Sequence, residues 1–356
     1  MTTANGMLDG NAARALEMLV AARATGQPCP PVRGLLPAGD VDAAYAVQAA
    51  WVADQVAAGA RVIGRKIGLT NPAVQAQFGV DRPDFGVLFA SMACVPGTPI
   101  DAARTLQPKI EAEIAFVLAE DLTGAMIGPA EVAAATAYVV AALEIVDSRI
   151  AGWDIGIVDT IADNGSSGLF VLGDRRQGLG RLDLAECAMT LRRVEAGQRS
   201  AAGQGGAAGQ SGAAGQSGAA GQSGAAGQSG AAGQSGAAGQ RGAAGQRGAA
   251  GQRGAAGQAR EGGSGGEGGS GGEVGPGDPG GEVVSTGTGA SILGHPLAAV
   301  AWLAAAVRDH GSPLRAGEVV LSGSLGPMVT VAPGDVFVAD ITGVGQVSAV
   351  FAEGTS

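Results

Sequence analysis

"RTLQPKIEAEIAFVLAEDL", residues 104–122 of the 356-residue chain, sets two carboxylates, Glu111 and Glu113, one residue apart in a run of Ile, Ala, Phe, Val and Leu. With the period of two of a strand, Ile110, Ala112, Ile114, Phe116 and Leu118 share one face, and Lys109, Glu111, Glu113, Ala115 and Val117 share the other. Both carboxylates then project the same way from backbones roughly 6 to 7 Å apart, close enough for their oxygens to converge on one cation. On a helix they would diverge. An isolated E-x-E also describes a strand whose second face is simply wet.

Two further features shift the balance toward a cation site. "VVAALEIVDSRI", residues 139–150, carries Glu144 in an apolar run without an adjacent counter-charge. A lone buried carboxylate is expensive, so it calls for a cationic partner or a metal. The chain has only two histidines, His295 and His310, which puts a histidine-rich transition-metal site out of reach. Three carboxylates that leave positions free for water and substrate describe a site for a hard cation, Mg²⁺ or Mn²⁺.

Candidates for proton transfer lie in "GRKIGLTNPAVQAQFGVDRPDFGVLF", residues 64–89. Lys66 stands in an otherwise apolar strand, where its stem could also simply snorkel. A short helix is expected from Asn71 and Pro72, and Asp84 is expected in a turn before Phe85 and Gly86. The loop "ADNGSSG", residues 162–168, offers Ser166, Ser167 and backbone N–H groups suited to a carboxylate or oxyanion. Ser322 and Ser324 in "LSGSLGPMV" are weaker substrate-binding candidates in a similar Gly-interrupted loop.

Composition narrows the partners. A content of 46% hydrophobic residues supports a sizeable core. A net charge of -10 without a basic cluster argues against nucleic acid or anionic lipid and leaves a small metabolite. Cys29, Cys94 and Cys187 form no C-x-x-C pair and read as reduced residues of a cytoplasmic protein. The N-terminus has no signal-peptide pattern, and the longest apolar run, Leu297 to Val307, is too short to cross a bilayer, so a soluble protein is expected.

Along the chain, residues 9–26 and 40–60 read as helices, the second capped by Asp40 and stopped by Gly59. Short β-type runs follow, with a helix expected at "GPAEVAAATAYVVAA", residues 128–142. The division is a helical segment over 1–60, a β domain over 61–197 and 282–356, and a low-complexity insert over 198–281. Within the insert the tetrad AAGQ recurs ten times, and Gly holds every third position from Gly203 to Gly257. That is collagen-like spacing without proline, and a segment with so little to bury is expected to be disordered. Its flanks, "MTLRRVEAG" and "GEVVSTG", read as the two strands of a hairpin. The fold class is α+β, mainly β.

In this order, "VIGRKIGLTNPAVQAQFGVDRPDFGVLFASM", "LQPKIEAEIAFVL", "ALEIVDSRIAGWDIGIVDTIADNGSSGLFVLG", "STGTGASILGHPLAAVAWLA" and "GEVVLSGSLGPMVTVAPGDVFVADITGVGQVSAVF" resemble the fumarylacetoacetate hydrolase superfamily. Within it the chain is most similar to the 2-keto-4-pentenoate hydratases, also called 2-hydroxypentadienoate hydratases. The resemblance spans nearly the whole chain except the insert, where relatives use a short turn. It implies a mixed β-sandwich roll behind an N-terminal helical segment, with Mg²⁺ or Mn²⁺ on Glu111, Glu113 and Glu144. It implies catalytic roles for Lys66 of "KIGLT", Asp84 of "PDFG" and Ser166 of the "DNxS" loop. The implied reaction is hydration of 2-hydroxypenta-2,4-dienoate to 4-hydroxy-2-oxopentanoate in aromatic meta-cleavage catabolism. The implied assembly is a homo-oligomer, pentamer or decamer, with a pathway aldolase or decarboxylase as a conceivable partner.

The nearest alternative is 4-oxalocrotonate decarboxylase, whose dicarboxylate substrate would want an extra cation such as Arg65, Arg82, Lys109 or Arg149. An acylpyruvate-type C–C hydrolase would want a Glu–His pair in the N-terminal half, yet neither histidine precedes residue 295. A non-catalytic accessory subunit built around the repeat arm is the reading without chemistry.

Overall fold

Two aspartates start the N-terminal helices. Asp9 accepts a hydrogen bond from the Ala12 amide (2.8 Å) and Asp40 from that of Ala43 (2.9 Å), each satisfying an amide that a helix start leaves unpaired. These helices are α1 (Gly10–Thr25) and α2 (Val41–Ala57), and Gly59 follows the second at φ 96°. The computed structural model describes residues 8–71, 75, 80, 82–195 and 280–354. The helix expected from Asn71 and most of the insert lie outside the described residues.

After α2 come β1 (Val62–Gly68), β2 (Asp84–Phe89), β3 (Ala93–Cys94), β4 (Pro99–Ile100) and β5 (Pro108–Leu118). Then follow α3 (Pro129–Ala135), β6 (Thr136–Asp147), α4 (Ile157–Ala162), β7 (Ser167–Leu172) and β8 (Ala188–Val194). The remainder is β9 (Glu282–Thr288), α5 (Pro296–Asp309), β10 (Val319–Ser324), β11 (Val329–Thr330), β12 (Val336–Ile341) and β13 (Gly345–Phe351). One mixed sheet runs β2-β1-β10-β5-β6-β7-β3, with β11 also paired to β5, and a second runs β4-β13-β12-β8-β9.

The strand that carries the E-x-E pattern is central, and its two faces meet different cores. Ile110, Ala112, Ile114, Phe116 and Leu118 pack with Leu191, Phe337 and Ile341 of the second sheet and with Ala299, Val300 and Leu303 of α5. Ala115 lies on the face that packs with Val140, Ala142 and Leu321 and with Leu16, Leu19, Val47 and Trp51 of the first two helices. Helices thus pack over the Ala115 part of this face; Glu113 is buried on it, and Glu111 borders a cavity. The segment Gly289–Asp309 is long and apolar enough for a membrane span, but α5 is a core helix with Ala299, Val300, Leu303, Ala304 and Val307 buried.

Three local expectations are corrected. The helix expected over 128–142 ends at Ala135, and Thr136–Asp147 is strand. Thr136, Tyr138, Val139 and Val140 are β-branched or aromatic, and pairing along the whole of β5 outweighs the helix propensity of the alanines. Asp84 opens a strand, paired with Gly68, instead of sitting in a turn. Ser322 and Ser324 belong to β10, whose pairing with β5 shifts register between Leu321 and Ser324. The hairpin expected around the insert is present: β8 and β9 are antiparallel, with Arg193 opposite Glu282.

Candidate active site

The register of β5 and β6 sets Glu111 directly opposite Glu144, and the pleat places Glu113 on the same face two residues on. One carboxylate oxygen from each lies within 4.8 Å of the others. Glu113 is 0% exposed and Glu144 1%. Glu113 Oε2 accepts from the Gly323 amide (2.8 Å), while its Oε1 and both oxygens of Glu144 are buried without a hydrogen bond. The nearest positive charge is Lys66, whose Nζ is 3.3 Å from Glu144 Oε1.

Three carboxylates, two of them fully buried and Glu111 at the cavity edge, leave negative charge uncompensated by one ammonium. Burial, reinforced by Glu144, pushes Glu111 up to about 7. Burial, Glu144 and Glu111 hold Glu113 well above the usual carboxylate range. Burial also raises Glu144, against the pull of Lys66. Unpaired buried carboxylate oxygens of this kind cost several kcal/mol unless something coordinates them. A divalent cation that favours oxygen ligands fits this donor set, with room left for water or substrate.

Beside the carboxylates lies a cavity of about 350 Å³, lined among others by Lys66, Asp84, Glu111, Thr160 and Ser166. Lys66 and Asp84 converge over Gly68: a Cβ there would sit 2.1 Å from Asp84 Oδ1 and 3.4 Å from Lys66 Nζ. Asp84 Oδ2 accepts from Thr160 Oγ1 (3.0 Å), and its Oδ1 has no hydrogen bond. Thr160 Oγ1 is also 3.3 Å from Ser166 Oγ, which joins the three side chains in one chain of contacts. Burial raises the Asp84 carboxyl, opposed by Lys66 and the Thr160 bond. Burial alone would depress the Lys66 ammonium, but Glu144, Asp84, Glu111 and Glu113 together raise it, so it stays charged.

Ser166 reaches the cavity from a turn of three left-handed residues, Asn164, Gly165 and Ser166, at φ 59°, 62° and 52°. Left-handed backbone costs non-glycine residues energy and persists only where the surroundings impose it. Asn164 bonds both the amide and the carbonyl of Val87, at 2.8 and 2.9 Å. From below, Arg149 donates to the carbonyls of Ser167 (3.0 Å) and Asp163 (2.8 Å), while Asp163 accepts from the Arg149 guanidinium and from Arg23. Asp159 accepts from the amides of Val32, Arg33 and Gly156, which fixes α4 and hence Thr160.

The structure therefore brings together Lys66, Asp84, Glu111, Glu113, Glu144 and Ser166. Ser324 also lines the cavity, with its hydroxyl donating to the Gly326 carbonyl. Ser167 does not line it: its hydroxyl bonds the Asn164 carbonyl (2.7 Å) and closes the turn. Ser322 is fully buried elsewhere in β10, with its Oγ unpartnered. Residues that sequence reasoning missed are Thr160, a common residue in a short helix, and Gly323, whose amide holds Glu113 across 210 positions of sequence.

The family described as fumarylacetoacetate (FAA) hydrolase C-terminal is matched by residues 278–352, and collagen triple helix repeats are matched by residues 193–257. The chain is 40% identical over 345 residues to a 2-keto-4-pentenoate hydratase of Burkholderia vietnamiensis, covering 97% of this chain and 99% of that protein. It is 38% identical over 344 residues to the TodF product hydratase of Pseudomonas putida, covering 97% and 96%. Among solved structures, 4-oxalocrotonate decarboxylase from Pseudomonas putida G7, complexed with magnesium and adipate, superposes with a TM-score of 0.67 at 25% identity over 95% of this chain and 97% of that one. On this full-length similarity, the chain belongs to the 2-keto-4-pentenoate hydratase family.

Proposed function

We propose that the chain is a divalent-metal hydro-lyase that adds water to 2-hydroxypenta-2,4-dienoate, giving 4-hydroxy-2-oxopentanoate in aromatic meta-cleavage catabolism. The observation that carries this reading is the cluster of three buried carboxylates, with orphaned oxygens, beside a cavity that presents Lys66, Asp84 and Ser166. Glu111, Glu113 and Glu144 would hold Mg²⁺ or Mn²⁺, which when bound supplies Lewis acidity toward the substrate's carboxylate and 2-oxygen.

The protein's own groups handle protons and orientation. Tautomerisation comes first: C5 gains a proton and the 2-hydroxyl loses one, which gives a 2-oxo-3-enoate. Water then adds its oxygen at C4, and C3 takes the remaining proton. Asp84 is the proton carrier, because it lines the cavity, its Oδ1 has no other hydrogen bond, and burial raises its carboxyl against the pull of Lys66. Lys66 remains an ammonium and steadies negative charge on Asp84 and on the enolate oxygen. The Ser166 hydroxyl, set by its strained turn, orients the substrate carboxylate. The same reading makes the enzyme a cytoplasmic homo-oligomer, which analytical ultracentrifugation of the whole chain would test.

The deciding assay offers 2-hydroxypenta-2,4-dienoate and 4-oxalocrotonate separately, with Mg²⁺ or Mn²⁺, and follows dienol absorbance and CO₂. Metal-dependent formation of 4-hydroxy-2-oxopentanoate without CO₂ release is expected. CO₂ from 4-oxalocrotonate would make the protein a decarboxylase instead.

A further inference from the structure

We infer that Tyr45 and Gln48, one turn apart on α2, are positioning residues for the reaction: together they grip the strand that carries Asp84 and tie it to the helix that carries Thr160. This rests on the hydratase reading.

β2 lies at the end of the first sheet, so one side of its backbone has no neighbouring strand to bond. In an antiparallel pair, alternate residues turn their N–H and C=O away from the partner strand. Val87 does so and meets Asn164, which bonds both groups at 2.8 and 2.9 Å. Phe85, two residues earlier, has the same orientation, and its two groups go to α2. Its amide donates to the Tyr45 hydroxyl (3.3 Å), and its carbonyl accepts from Gln48 Nε2 (2.9 Å). The residue that follows Asp84 is thus held on its open side by two side chains of the N-terminal helical segment.

Gln48 also reaches α4. Its Nε2 donates to the Ile161 carbonyl (3.0 Å), in the last turn of that helix, where carbonyls lack an intrahelical partner. An amide nitrogen carries two hydrogens, so the one buried Gln48 side chain serves both carbonyls. Phe85 follows Asp84, and Ile161 follows Thr160. The Gln48 amide therefore bridges the immediate neighbours of two residues whose side chains meet at 3.0 Å. Tyr45 shares this face of α2, three residues before Gln48. Its ring stacks on Phe85 with centroids 4.4 Å apart, and His310 packs against it at 4.7 Å. Neither Tyr45 nor Gln48 lines the cavity, so both act through Asp84 and Thr160 instead of touching substrate.

The test uses the whole metal-loaded protein with 2-hydroxypenta-2,4-dienoate, and measures kcat and KM separately, well below the melting temperature of each variant. Tyr45→Phe keeps the ring and removes the hydroxyl, whereas Gln48→Met keeps the length and removes both donors. A displacement of about 1 Å in a reacting group costs on the order of a hundredfold, so partial release should lower kcat at least about tenfold in Gln48→Met and about threefold in Tyr45→Phe, with KM within about twofold. Gln55→Met makes the same exchange elsewhere on α2 and should keep the wild-type kcat. The double variant Gln48→Met/Thr160→Val should lie within about threefold of Thr160→Val alone, because both changes act through one contact. A double variant that falls by the product of the single losses would overturn the inference and leave the hydratase reading standing. So would folded Tyr45→Phe and Gln48→Met proteins that both keep the wild-type kcat. Amide hydrogen exchange adds a readout without substrate: Tyr45→Phe and Gln48→Met should speed exchange in β2, and Gln48→Met in α4 as well, with β12 unchanged. If the wild-type protein turns over no dienoate, the hydratase reading falls, and unchanged exchange in β2 would remove the grip of α2 as well.

Discussion

Gly68→Ala separates the catalytic geometry from the fold. The new Cβ would sit 2.1 Å from Asp84 Oδ1, far inside van der Waals contact, and 3.4 Å from Lys66 Nζ. Gly68 has no left-handed φ, so alanine brings no backbone strain there. Relief must come from Asp84 turning aside by about 1 Å, which lengthens or breaks its 3.0 Å bond from Thr160. Overpacking and a lost hydrogen bond to a charged group each cost about 1 to 3 kcal/mol, and because Asp84 can swing toward the cavity, the lower end applies. That corresponds to a Tm lower by roughly 2 to 6 °C for a domain of this size. Activity should fall much further, since a misplacement of about 1 Å in a reacting group costs on the order of a hundredfold. Gly34→Ala is the control, because nothing lies within 4 Å of its Cβ position. The assay is dienoate consumption under metal saturation, paired with thermal melts. A folded Gly68→Ala protein with kcat/KM within threefold of wild type would refute the placement of Asp84 at the reacting centre.

Other outcomes follow from the same geometry. Glu111 is raised from 4.5 to about 7 in the fold, so the metal-free protein gains most from this proton below about pH 4.5 and loses that contribution as pH rises through 7. Melts of EDTA-treated protein should therefore show Tm falling from pH 5 to 8, and the rise on adding Mn²⁺ should be larger at pH 8 than at pH 6; an equal rise at both would count against Glu111 as a ligand. Gly323→Ala combines a backbone at φ 108° with a Cβ 2.3 Å from Thr70 Oγ1. It should cost about 2 to 5 kcal/mol and weaken Mn²⁺ binding measured calorimetrically, because the amide that holds Glu113 must shift. Arg149→Met leaves buried Asp163 with Arg23 alone (3.1 Å) and takes the donor from the Ser167 and Asp163 carbonyls, so chemical denaturation should show a loss of about 3 kcal/mol.

The metal cluster was legible because it is written in local periodicity. Residues 110 to 114 alternate apolar and charged, so one face of a single strand had to carry both Glu111 and Glu113, and Glu144 stood out by lacking a neighbouring counter-charge. What that alternation could not show was whether the second face met water or α1 and α2, since burial is a property of segments some 60 to 100 residues upstream. The same locality explains the misread helix at 136–142: alanine-rich sequence reports propensity, whereas strand β6 exists because β5 is there to pair with it. Thr160 and Gly323 lay beyond reach for a related reason. Each acts on a partner brought close only by the completed sheet, Asp84 being 76 residues from Thr160 and Glu113 being 210 residues from Gly323. Sequence period therefore identifies the residues that carry charge into the site. The groups that hold those charges still, an amide on a bulged strand and a hydroxyl on a short helix, become visible only when the chain has closed around them, and substitutions there test the geometry most directly.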